Sequence, residues 1–145
     1  ILRTRLGLPD AGMDETYELE KVASVAAGGA DPGRLYIDHF KKVARIVEAH
    51  GKRPMIWADI LTHYPGVIPE LKGGTIAMPW VYGPEKDYTR HVAPFAASKV
   101  PTFIATAVTN WEDITPKFTR TFDNVDQFLA AGRKPDPLFF KVPNP

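Results

Sequence analysis

The run from Asp31 to Ile60 constrains the fold more than any other stretch. Asp31-Pro32 reads as a helix start. An aspartate side chain accepts from the free N–H groups of a first turn, and proline suits the first helical position. Tyr36, Phe40, Val43 and Val47 then recur at helical spacing, with Ile37, Ala44 and Ile46 widening the stripe. Lys41, Lys42, Arg45 and Glu48 take much of the rest, and Gly51 supplies the stop. Arg53-Pro-Met-Ile-Trp57-Ala-Asp59-Ile follows at once. It is short and mostly apolar, so it reads as a buried parallel strand.

The same rhythm extends in both directions. Residues 1–13 offer a strand, interrupted by Pro9 and Asp10, and residues 16–30 are loop material ending near Gly28-Gly29. Residues 63–72 hold one or two helical turns, and Thr75 to Tyr82 is a further strand. A helix is expected over residues 85–98, with Pro94 as a point of kinking or splitting. Pro101 to Thr109 is another strand. Lys117 to Ala131 is a clear helix, with Phe118, Phe122, Val125, Phe128 and Leu129 as its stripe and Gly132 as its stop. Residues 132–145 form an irregular, proline-rich tail. Buried strands alternating with helices imply an α/β fold with a parallel sheet.

The chemistry-bearing residues fall at the strand ends. The first strand ends at Asp14-Glu15, the second at Trp57-Ala58-Asp59, the third at Trp80-Val81-Tyr82 and the fourth at Asn110-Trp111-Glu112. Adjacent residues on a strand point to opposite faces, so Asp14 and Glu15 reach one site only where the chain leaves the pleat. In barrels of alternating strands and helices, the C-terminal strand ends form the active face. All three tryptophans lie at such ends. Aromatic walls with a few polar groups suit a sugar ring, apolar on its C–H faces and hydroxylated at its rim.

Composition sets the outer limits. The 145 residues make at most one domain, and the net charge of +1 carries no basic stripe for nucleic acid or an anionic membrane. No apolar run reaches membrane length. Without cysteine there are no disulfides and no thiolate metal sites, and the compartment stays open. His39, His50, His63 and His91 show no metal-ligand spacing, and no phosphate-cradling glycine motif occurs. No cofactor, metal, nucleic-acid or membrane partner is therefore expected. The start at Ile1 and the unpatterned end at Pro145 are expected to be cuts in a longer chain.

Gly12-Met-Asp14-Glu15-Thr16, Tyr36-Ile-Asp-His-Phe40, Gly51-Lys-Arg-Pro-Met-Ile-Trp57-Ala-Asp59, Trp80-Val-Tyr82 and Thr109-Asn110-Trp111 together resemble family 20 glycoside hydrolases, the β-N-acetylhexosaminidases. The resemblance runs from about residue 11 to about residue 133. It implies a partial (β/α)8 TIM barrel, about strands four to seven with their helices, inactive as an isolated piece. It also implies a retaining, substrate-assisted mechanism on terminal β-linked N-acetylhexosamines. Glu15 would then be the general acid and base, and Asp14 would hold the acetamido N–H. Trp57, Trp80 and Trp111 would wall the sugar, with Asp59, Tyr82 and Asn110 as further binding residues. Asp10 stands where the family commonly has histidine, and the tyrosine usual on strand seven is not evident. A non-catalytic sugar-binding relative with the same aromatic pocket is the alternative. A barrel hydrolase holding a divalent cation on Asp14, Glu15 and Asp59 is the third reading.

Overall fold

The structure is a computed structural model, and it describes Met13, Thr16, Gly28, Gly29 and residues 31–71, 74–108 and 114–133. The strand expected over residues 1–13 (Met13 apart), Asp14, Glu15, Asn110, Trp111 and the tail beyond residue 133 lie outside the described residues.

Helix α1 spans Pro32–Ala49, and Asp31 caps it as the sequence requires, its side chain accepting from Gly33 N at 2.9 Å. Gly33, Tyr36, Ile37, Phe40 and Ala44 form the buried face, while Ile46 is 63% exposed and does not widen it. Gly51, at φ +67°, ends the helix in a Schellman turn, with Lys52 N donating to Val47 O and Gly51 N to Glu48 O. Strand β1, Met55–Trp57, follows. It is shorter than expected because the chain turns at Ala58 into a second helix, α2, Asp59–His63, with Thr62 N donating to Ala58 O. A 3-10 helix, Pro65–Glu70, supplies the helical turns read over residues 63–72.

Strand β2, Ile76–Met78, pairs in parallel with β1, Met55 opposite Ile76 and Trp57 opposite Met78. Residues 101–105 run alongside β2 as a third parallel row, joined only by isolated bridges at Ala77↔Thr102 and Trp80↔Ala105. The reason lies in Pro79. Ala77 N donates to Pro101 O, Phe103 N to Ala77 O and Ala105 N to Pro79 O. The missing rung is the one a residue-79 N–H would make, and proline has none. The expected strands over residues 75–82 and 101–109 are therefore a three-residue strand and two bridges.

Helix α3, Thr89–Ala97, runs through Pro94 without splitting. It ends in a second Schellman turn on Lys99, at φ +55°, with Val100 N donating to Phe95 O. Helix α4, Phe118–Arg133, corrects two expectations. Gly132 is buried inside the helix and is not its stop. The buried face is Thr121, Asn124, Phe128, Ala131 and Gly132, whereas Phe118 and Phe122 are exposed and stack on each other. Among the described residues the fold is mixed α/β, rich in helix, around a small two-stranded parallel sheet. No described helix is long and apolar enough to cross a membrane.

The sheet separates two environments. Ile56, Ala58 and Ala77 point to the helices and join one core with Tyr36, Phe40 and Phe95. Val81 and Ile104, of the same parity, pack on a second core of Tyr88, Val92, Phe128 and Ala131. By the pleat, Met55, Trp57, Ile76, Met78, Trp80, Tyr82, Phe103 and Ala105 belong to the other face.

Candidate functional site

That second face carries the aromatic residues singled out by the sequence. Trp57 closes β1 opposite Met78, and Trp80 and Tyr82 continue the same parity beyond β2. All four are half-buried, and Phe103 on the neighbouring row is exposed. The rings of Trp80 and Tyr82 lie 4.9 Å apart, tilted by 33°. An i, i+2 pair at a strand end thus forms one continuous aromatic surface near the C-terminal edge of the sheet. Trp80 Nε1 is buried and has no hydrogen-bond partner. An indole nitrogen can only donate, and a buried donor left unmade costs about 1–3 kcal/mol. An acceptor on a bound molecule would recover that energy.

Asp59 lies two residues past Trp57, in the first turn of α2, half-buried, with its carbonyl accepting from the Thr62 hydroxyl at 2.6 Å. Met13 and Thr16 flank the Asp14-Glu15 pair, which itself lies outside the described residues, as do Asn110 and Trp111. Met13 has φ +69°, a conformation that costs an L residue roughly 1–2 kcal/mol. It is held there by packing on the first core and by the Tyr36 hydroxyl, which donates to Met13 O at 2.9 Å. Backbone held in such a region concentrates at functional sites. The Thr16 hydroxyl is also buried without a hydrogen-bond partner.

Sequence reasoning missed the group that holds the Trp80–Tyr82 segment. Asn124 of α4 is fully buried, and its Nδ2 donates to Val81 O, the carbonyl between the two aromatic residues. Its Oδ1 accepts from Ala107 N at 3.4 Å, on the row beside β2. The Tyr88 hydroxyl donates to Gly83 O at 2.9 Å and lies 3.4 Å from Asn124 Nδ2. The signal available in the sequence was a polar residue four positions before Phe128, on the helix face opposite the Phe118–Phe122 pair.

A cavity of about 480 Å³ lies elsewhere, between α1 and the 3-10 helix, floored by Phe40 and Ala44 and rimmed by Lys41, Arg45 and Glu70. None of the described strand-end aromatics lines it. The Glu70 charge at its rim is already matched. Arg34 bonds Asp38 and Glu70, the latter at 2.7 Å, and Lys41 bonds Glu70 as well. The bond from Lys41, then that from Arg34, holds the Glu70 carboxyl below the usual carboxylate range. Arg34 does the same to Asp38 and is itself raised, first by Asp38 and then by Glu70. This network pins the 3-10 helix to α1. Among the described residues no group of three or more His, Asp or Glu is arranged to hold a metal ion.

Comparison of the chain with protein-family models, with curated proteins and with solved structures finds no match.

Proposed function

We propose that this chain forms part of a (β/α)8 barrel glycosidase acting on terminal β-linked N-acetylhexosamines. The reaction is retaining and substrate-assisted. The substrate's acetamido oxygen attacks the anomeric carbon while Glu15 protonates the departing glycosidic oxygen. Glu15 then takes a proton from the water that opens the cyclised intermediate. Asp14 accepts from the acetamido N–H and stabilises the positive charge that develops. A like charge beside Glu15 raises its pKa toward that of a working acid, while Asp14 stays ionised beside the nascent cation. Trp57, Trp80 and Trp111 wall the acetamido group, Asp59 lies at the rim, and Tyr82 or Asn110 donates to the acetamido oxygen.

One observation carries this reading: the Trp80–Tyr82 aromatic surface, with Trp57 on the same sheet face turned away from the helices, and with Trp80 Nε1 buried and unpartnered. Flat aromatic rings with an unmet donor suit an acetamidosugar. The test is a tryptophan-fluorescence titration with a thiazoline mimic of the cyclised intermediate, with glucose as the control sugar. We expect a saturable change for the thiazoline, no saturable change for glucose, and loss of the thiazoline response in Trp80→Phe. Equal responses to both sugars, or none to the thiazoline, would sink the proposal.

A further inference from the structure

We infer that Asn124 is a positioning residue that sets the angle and depth of the Trp80–Tyr82 surface; as a statement about sugar binding, this rests on the function proposed above. Val81 O can only accept and Ala107 N can only donate. A single orientation of the Asn124 amide satisfies both, with Nδ2 toward Val81 and Oδ1 toward Ala107. The amide therefore cross-links the loop after β2 to the row beside it, from a helix packed behind the sheet. Val81 lies between Trp80 and Tyr82, so fixing its carbonyl fixes the direction in which both rings leave the backbone. Pro79 has removed one ladder rung just upstream, which leaves this segment short of backbone support. The Asn124 amide supplies the missing restraint. Tyr88 extends it, stacked on Phe128 at 5.1 Å and bonded to Gly83 O, one residue past Tyr82.

The experiment uses Asn124→Asp, which keeps the shape but turns the donor into an acceptor facing Val81 O, and Asn124→Leu, which keeps the volume without the amide. Near-ultraviolet circular dichroism reads the Trp80–Tyr82 pair through the band that Trp80→Phe removes. Fluorescence titration with the thiazoline reads the binding surface, and far-ultraviolet circular dichroism reads the fold. We expect both variants to keep the far-ultraviolet spectrum, lose the near-ultraviolet band and bind the thiazoline about tenfold more weakly. Phe95→Leu, a change in the other core, should move neither readout. A near-ultraviolet band and thiazoline affinity unchanged in Asn124→Asp would overturn the inference, as would equal losses in Phe95→Leu. If both Asn124 variants unfold, Tyr88→Phe decides: a loss of about threefold supports the clamp and no loss refutes it. If the wild-type chain binds no thiazoline, the glycosidase proposal fails alone, and the near-ultraviolet band still decides the clamp.

Discussion

Replacing Gly33 by alanine should destabilise the chain, although helix propensity alone argues the opposite. Gly33 is the second residue of α1, and alanine is favoured over glycine in a helix by about 1 kcal/mol. Gly33 is buried, however, and a Cβ built on it would stand 2.8 Å from Tyr64 Cβ and 2.9 Å from Tyr64 Cγ. Ordinary carbon contacts lie near 3.5–4.0 Å, so the shortfall is roughly 0.7 Å or more. Tyr64 Cβ cannot swing aside, because it is fixed to the backbone between α2 and the 3-10 helix. Either that segment or α1 must move. Overpacking of this kind costs about 1–3 kcal/mol, and subtracting the propensity gain leaves a net loss of up to about 2 kcal/mol. Urea unfolding followed by far-ultraviolet circular dichroism measures it. Gly66, in the 3-10 helix, has nothing within 4 Å of the place a Cβ would take and is the matched control. Gly66→Ala should be neutral or stabilising by up to about 1 kcal/mol. A double-mutant cycle with Tyr64→Gly should recover most of the Gly33→Ala loss. A Gly33→Ala chain stabilised by the full helix-propensity gain of about 1 kcal/mol would refute the close approach of α1 and Tyr64.

Lys99→Gly should stabilise the chain by about 1 kcal/mol, since Lys99 holds φ +55° where glycine carries no Cβ penalty; an unchanged urea midpoint would count against the Schellman turn after α3. The Asp38 and Glu70 carboxyls are held below their unfolded values, so their contribution is present above the unfolded pKa of about 4 and is lost as pH falls through the folded values. Urea midpoints measured from about pH 6 down to about pH 3 should therefore decline less steeply in Arg34→Met than in wild type, and equal slopes would discount the network. If the proposed chemistry holds, Glu15→Gln in the complete barrel should lower turnover of natural glycosides by about a hundredfold to ten-thousandfold, yet spare part of the activity on aryl glycosides that need no proton. Asp14→Asn should lower both, and intact release of both leaving groups in that variant would remove the substrate-assisted mechanism.

Local chemistry made much of the fold legible. Asp31-Pro32 and Gly51 announced the ends of α1, and the structure uses each as expected. The apolar runs around Ile56 and Ala77 announced two buried parallel strands. Their lengths were less legible, because hydrophobicity does not register a missing N–H: Pro79 sits in an apolar run yet breaks the ladder to residues 101–105. Nor does it register a helix stop on lysine, as at Lys99. The aromatic surface was legible because residues 57, 80 and 82 fall at strand ends, and two of them at period two. Asn124 was not, for a physical reason that also explains the misread face of α4. Apolar periodicity selects Phe118 and Phe122, which face outward and stack on each other. The inward face meets strand ends, where backbone carbonyls and N–H groups leave the ladder and need partners. A helix packed there must present a polar side chain among its apolar ones, as Asn124 does between Thr121 and Phe128. The most apolar stripe of a helix is thus a poor guide wherever its neighbour is the end of a sheet, and strand ends are where the function of an α/β fold resides.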